Sequence, residues 1–215
     1  NKANELNCDI NLITIPSMFL LHLSFLLKTG KTKILDIRDL SWEYLDTKSL
    51  VNRIAKRVFT QSALVNLKKF DLISVTNDHE FDYISKYISN KELIVKVPNG
   101  VSLSVFEKLS HVQQNHSNQF TVTYIGNVGL AQDLSTLIEA SKLLPHVQFN
   151  IVGAGTDFER INTLVDSDQQ NLNFWGRRQF NELLEIYNQS DVLYAQLTPE
   201  FATAMPSKLY EYLST

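Results

Sequence analysis

Apolar and polar positions follow two rhythms along the chain. Short runs rich in β-branched residues, Ile10–Ile15, Ile34–Ile37, Leu72–Val75 and Leu93–Val97, have the length of strands buried on both faces. Between them, Asn52–Lys69 and His79–Ile88 space their apolar residues at helical intervals, with Ile54, Ala55, Val58 and Phe59 marking the stripe of the first. Pro98-Asn99-Gly100 interrupts the pattern, because Pro lacks a ladder donor and Asn-Gly favours a turn. A polar stretch, Ser110–Gln119, follows. Alternation then resumes with strands at Phe120–Ile125 and Val147–Val152, near Leu172–Trp175, and at Val192–Tyr194. Helices are expected at Asp133–Leu144, around Phe158–Val165, at Phe180–Tyr187 and from Pro206 onward. Strands alternating with helices predict βαβ units on parallel sheets. The expectation is an α/β chain with two doubly wound parallel-sheet domains: a partial amino-terminal domain over 1–109, a polar linker over 110–119, and a partial carboxyl-terminal domain over 120–215.

Composition narrows the class. The 215 residues are 44% hydrophobic and 20% charged, with formal net charge −3, which excludes wholesale disorder. The slight acidity gives no electrostatic reason to expect nucleic acid as a partner. Cys8 is the only cysteine, so an internal disulfide and a multi-thiolate zinc site are excluded. The longest apolar stretch, Met18–Leu27, contains His22 and Ser24 and is too short for a bilayer span of about 20 residues. The chain opens Asn1-Lys2-Ala3-Asn4 without a charged-then-apolar leader, so an intracellular protein is expected. It lacks an initiator Met and stops at Ser214-Thr215 within a predicted helix; both ends are expected to be cut.

In open α/β sheets ligands bind at the carboxyl ends of strands, which directs attention to the strand-to-helix turns. Gly126-Asn127-Val128-Gly129 and Gly153-Ala154-Gly155 each follow a predicted strand. Such glycines let backbone amides approach a phosphate, although plain turn glycine reads equally well, and neither turn completes GxGxxG or a P-loop. In Ala202–Leu213, Pro206 suits the first helical position. Ser207 and Lys208 then fall in the first turn, where free N–H groups attract anions. Lys208 and Glu211 share a helix face, either gripping a phosphate and nearby hydroxyls or forming a surface pair worth a few tenths of a kcal/mol. Asp36, Arg38 and Asp39 end a strand; they could bind sugar hydroxyls or shift one another's pKa, or form a structural bridge. Trp42 and Glu43 could line the same cleft. The five histidines show no metal-ligand spacing, and no Gly-x-Ser-x-Gly elbow occurs. Arg53, Lys56, Arg57, Lys68 and Lys69 flank the apolar stripe of the helix at 52–69, which fits a solvated amphipathic helix or an anionic membrane surface.

Taken in order, these pieces resemble the retaining glycosyltransferases of family 4. The matching segments are DIRDLSWE at 36–43, VPNGV at 97–101, YIGNVGLAQDLSTLIEA at 124–140, IVGAG at 151–155, FWG at 174–176, SDVLYAQL at 190–197 and MPSKLYEYL at 205–213. The resemblance is strongest to the subgroup building bacterial surface polysaccharides, including N-acetylfucosamine-type transferases. It implies the GT-B fold of two facing Rossmann-like domains, with the acceptor domain first and the nucleotide-sugar donor domain from Phe120 onward, both incomplete here. By that resemblance Glu211 is the second glutamate of the EX7E motif and holds the nucleotide ribose. The first falls at Thr203, a departure common in the polysaccharide subgroup. Lys208 and the 126–129 turn would face the diphosphate, with Gly153, Gly155 and Arg177 near the nucleoside; Asp36, Arg38 and Asp39 would lie on the acceptor side.

The resemblance implies a retaining transfer from a nucleoside-diphosphate sugar, with UDP the expected nucleotide. It further implies that neither cofactor nor metal is needed, in keeping with the lack of an Asp-x-Asp motif. The acceptor expected is a glycan or a lipid-linked glycan, which would bring a cytoplasmic enzyme to the inner membrane face. Two competing expectations remain: a nucleotide-sugar epimerase, for which no paired acid/base set is evident, and a non-catalytic nucleotide-sugar-binding or scaffold protein.

Overall fold

The computed structural model describes residues 8–15, 18–22, 26, 32–44, 47, 49–113, 119–201 and 204–215. The chain divides into two compact units, Asn1–Asn99 and Gly100–Thr215. In the first, β1 (Ile10–Ile15), β2 (Thr32–Ile37), β3 (Leu72–Val75) and β4 (Ile94–Lys96) form a parallel sheet in that order. Helices α1 (Met18–His22), α2 (Leu50–Leu67) and α3 (Asp78–Ser85) alternate with these strands. Each longer helix starts where a side chain takes an otherwise unpaired amide: Ser49 accepts from Asn52 N at 3.0 Å and Asn77 from Glu80 N at 3.0 Å. The core joins Leu35, Ile37, Ile73 and Val75 to Trp42, Ala63, Leu67 and Ile84, each large apolar side chain contributing about 1.5–3 kcal/mol by burial.

Both edge strands of the described sheet depart from expectation; Lys96 in β4 is exposed and Val97 just after it is 48% exposed. β1 is not buried on both faces: Ile10 and Leu12 are exposed, while Ile15 is fully buried. It is an edge strand among the described ones, with only one face covered.

The second unit holds β5 (Thr121–Ile125), β6 (Gln148–Val152), β7 (Leu172–Gly176) and β8 (Val192–Leu193), all parallel in the order β7-β6-β5-β8. α4 (Leu103–Leu109) precedes β5, and α5 (Ser135–Leu143), α6 (Phe158–Asn162), α7 (Phe180–Asn188) and α8 (Ser207–Tyr212) follow. Helices cover both sheet faces. Leu137, Ile138 and Ile161 pack with Phe149 and Ile151 on one; Leu109, Leu183, Ile186 and Tyr187 pack with Ile125 and Val152 on the other. This two-sided cover buries even polar positions of β5 and β6, Thr121, Thr123 and Asn150. α4 lies ahead of the expected 110–119 linker yet belongs to this unit, because Leu109 is part of its core. Among the described residues no helix is long and apolar enough to cross a membrane.

Sheet order locates the crevice. The chain runs outward from β5 through β6 to β7, then returns to the other side of β5 for β8. Loops leaving β5 and β8 therefore depart to opposite sides, and the gap at their carboxyl ends is the topological switch point where doubly wound sheets bind ligands.

Candidate functional site

The two glycine turns lie directly against each other. Gly126 N donates to Val152 O at 2.9 Å, Val128 N to Ala154 O at 3.2 Å and Asp157 N to Val128 O at 3.0 Å. A β-carbon on Gly155 would stand 2.1 Å from Val128 O, and one on Gly153 would stand 1.8 Å from Gly126 O. Gly153 also has φ +140°, which L side chains rarely adopt. These glycines are thus required by the approach of one loop to the other. Gly129 has a tight neighbour of another kind, the Asn127 side chain. The amides of Asn127, Gly129, Ala154 and Gly155 have no hydrogen-bond acceptor among the described residues, and the buried Gln132 Oε1 lacks a donor. A cluster of unspent donors on glycine-rich backbone suits an anion.

The first loop is braced from a second side. Gln196 Nε2 donates to Asp133 O at 3.0 Å, Thr198 N donates to Ala131 O at 2.8 Å, and the Tyr194 hydroxyl bonds Gln196 Oε1. The segment leaving β8 is thereby tied across the switch point to the segment leaving β5. Asp133 itself has φ +36°, a left-handed conformation that Asp tolerates better than most residues. Its Oδ1 accepts from Arg160 Nη2 at 2.6 Å and from Ser135 Oγ at 2.9 Å. Those bonds, Arg160 foremost, hold the Asp133 carboxyl below the usual carboxylate range. Arg160 also forks onto the buried Asp157, at 2.8 and 2.6 Å, so one guanidinium joins both loops.

α8 is pinned to the same place. In a parallel strand alternate residues face one neighbour; Thr123 O accepts from Tyr194 N at 2.8 Å, so Ile125 faces the β8 side too. β8 ends at Leu193, leaving the Ile125 amide and carbonyl without a strand partner. The Tyr212 hydroxyl fills that gap, accepting from Ile125 N at 2.8 Å and donating to Ile125 O at 2.9 Å. Burial pushes its pKa up. One residue before it, Glu211 accepts from Lys208 Nζ through both oxygens, at 2.8 and 2.7 Å, and from the Tyr187 hydroxyl at 3.1 Å. The pair is only partly exposed, at 31% and 20%, so it is better held than a loose surface bridge. Pro206 flanks α8 rather than opening it, and Ser207, the first helical residue, is exposed.

Arg177 follows Gly176, whose carbonyl accepts from Gly153 N at 2.8 Å; its side chain is exposed and unpaired among the described residues. Thr203 lies outside the described residues. In the first unit, Asp36 is buried and committed: Oδ1 accepts from Ser74 Oγ at 2.7 Å and Oδ2 from Arg38 Nε at 2.7 Å. Arg38 reaches on to Asn99 Oδ1 at 2.7 Å. Asp39 is half-buried, its carboxyl pushed up by burial and then by the charge of Glu80. Trp42 lines no cleft; it is fully buried and donates to the Tyr83 hydroxyl at 3.1 Å. Glu43 accepts from that hydroxyl at 2.5 Å.

Sequence reasoning missed Asp133, Arg160, Tyr194, Gln196 and Tyr212. The signal for Tyr212 was present as an aromatic one step after Glu211, but only strand order shows the gap it fills.

No protein-family model and no curated protein sequence matches the chain. Solved structures share its fold at low identity. Sucrose-phosphate synthase from Thermosynechococcus elongatus aligns with a TM-score of 0.69 and 18% identity, covering 89% of this chain and 51% of its own. A variant of S. aureus TarM, solved with Fondaparinux, alpha-GlcNAc-glycerol and UDP, gives 0.65 and 15%, covering 90% and 38%. Anabaena HepE in complex with UDP-glucose gives 0.66 and 15%, covering 94% and 57%. The chain thus spans 38 to 57% of the length of these proteins. Its two parallel-sheet α/β units have the fold of GT-B glycosyltransferases.

Proposed function

We propose that the protein is a glycosyltransferase whose nucleotide-sugar donor binds on the second unit. The observation carrying this reading is the crevice at the β5/β8 switch point, where two interlocked glycine loops and α8 meet. Support also comes from similar structures solved with UDP or UDP-glucose.

In this reading the central catalytic task is to stabilise negative charge on the departing nucleoside diphosphate. Lys208 and the amides of the 126–129 loop supply that charge compensation, so no metal is required. Glu211 accepts from the ribose hydroxyls, exchanging its bond to Lys208 for bonds to the sugar, while Lys208 turns to the phosphates. Gly153, Gly155 and Arg177 lie toward the nucleoside. The finer expectations belong to the same proposal: UDP as the nucleotide, retention at the anomeric carbon, and a glycan or lipid-linked acceptor of bacterial surface-polysaccharide synthesis. Asp39, whose raised carboxyl has no hydrogen bond among the described residues, is the acceptor-side group left available, since Asp36 and Arg38 hold each other.

Calorimetric titration with UDP, GDP and ADP tests the donor site, with Glu211→Gln alongside. Losing a charge-assisted ribose bond should cost about 1.5–3 kcal/mol, a weakening of roughly tenfold or more. UDP binding untouched by Glu211→Gln refutes the ribose assignment. Donor binding without transfer to any lipid-linked glycan would replace the enzyme with a nucleotide-sugar-binding protein.

A further inference from the structure

α2 carries two apolar faces, and only one is used. Ala63 and Leu67 are buried and Phe59 packs against the core. Leu50, Val51, Ile54, Val58 and Val65 are all exposed, between 58% and 74%. At 100° per residue these five fall within an arc of about 100°, centred roughly opposite the buried face. The sequence stripe thus splits: Ile54 and Val58 point outward, Ala55 and Phe59 inward.

Charge gathers around this outer stripe. The chain is net negative, yet no Asp or Glu occurs between Thr47 and Phe70, a stretch holding Lys48, Arg53, Lys56, Arg57, Lys68 and Lys69. Lys56 is taken up by Glu43, donating to its carbonyl at 2.6 Å. Arg53 and Arg57 are exposed and form no ion pair among the described residues. On the helical wheel they run along one border of the stripe, with Lys68 close to it at the far end.

We infer that this face of α2 docks on an anionic lipid surface, with Leu50, Ile54, Val58 and Val65 entering the headgroup boundary and Arg53 and Arg57 meeting lipid phosphates. Aliphatic side chains beside unpaired guanidinium groups match both halves of such a surface. A second copy of the chain is the poorer occupant: a two-fold contact through this face would oppose apolar stripes but also crowd four arginines. The inference is compatible with a lipid-linked acceptor and independent of it, because surface binding needs no nucleotide.

The test is co-sedimentation of the protein with vesicles of phosphatidylcholine alone or mixed with phosphatidylglycerol, with UDP titration run in parallel. Binding should require the anionic lipid and fall as salt is raised. Arg53→Gln with Arg57→Gln should weaken it about thirtyfold, near fivefold for each charge. Ile54→Gln with Val58→Gln should weaken it more than tenfold. These exposed substitutions should leave the circular dichroism spectrum and UDP binding unchanged. Equal binding to neutral vesicles, no binding to either vesicle, or insensitivity to both double variants overturns the inference. So does concentration-dependent dimerisation abolished by Ile54→Gln with Val58→Gln, which would assign the face to a second copy. Failure of UDP binding with vesicle binding intact would count against the donor site alone.

Discussion

Adding one methyl group at Gly153 tests whether the two glycine loops of the second unit are locked together. The new β-carbon would stand 1.8 Å from Gly126 O and 3.0 Å from Gly126 C, both backbone atoms that no rotamer change can remove. The loops would have to part by well over 1 Å. That movement breaks the bonds from Gly126 N to Val152 O and from Gly153 N to Gly176 O, each costing about 1 kcal/mol or more. Holding alanine at φ +140° adds about 1–3 kcal/mol. Gly153→Ala should therefore destabilise the second unit by about 3–5 kcal/mol. Gly155→Ala, with a 2.1 Å clash against Val128 O but no such φ, should cost about 2–4 kcal/mol. Two controls calibrate the series. Gly176 has φ +65° with open space around its Cβ direction, so alanine there carries only strain, about 1–2 kcal/mol. Gly100 has open space, and alanine should change stability by less than about 1 kcal/mol. Urea unfolding followed by Trp175 fluorescence, in a Trp42→Phe background, reads the order. If Gly153→Ala costs no more than Gly176→Ala, the loops are not interlocked and the proposed donor site loses its frame.

Tyr212→Phe should strip the Ile125 amide and carbonyl of their partner, costing about 2–4 kcal/mol and weakening UDP binding along with stability; unchanged amide exchange at Ile125 would refute the pairing. Asp133, with its carboxyl lowered by Arg160 and Ser135, stabilises the fold above the usual carboxylate range, and the effect is lost as pH falls through its own lower value. Asp133→Asn should forfeit about 0.5–1 kcal/mol at pH 7, discounted because the carboxylate is 36% exposed, and should flatten the acid side of the stability profile. Asp133→Ala should lose about 1 kcal/mol more through the positive φ, and equal losses for the two variants would refute the strain.

Where a strand is central, its residues announce it: β3 occupies Leu72–Val75 as the apolar run indicates. At sheet edges the same reasoning overreaches, because Ile10 and Leu12 look like core but have no cover on their face. α4 went unseen since seven residues hold too few apolar positions to show a period, and its start depends on a Ser102 hydroxyl accepting from Val105 N. The glycines stood out as turns, but whether they cradle a ligand or admit a neighbouring loop is a matter of distances between segments far apart in sequence. The structure adds that the second role is real for Gly153 and Gly155. Asp36 and Arg38 were legible as a pair; their further partners, Ser74 and Asn99, are far away in sequence and could not be read locally.

The interlocking of the 126–129 and 153–155 loops also bears on what binding costs. Segments already fixed by mutual hydrogen bonds and by the Arg160 fork surrender little conformational entropy when an anion arrives, so more of each contact survives as affinity. Lys208 is likewise held by both oxygens of Glu211, so the mobility that a ligand must quench is concentrated in the long, exposed side chain of Arg177. Affinity at the proposed donor site should therefore respond more to changes in Arg177 than to loosening of distant loops.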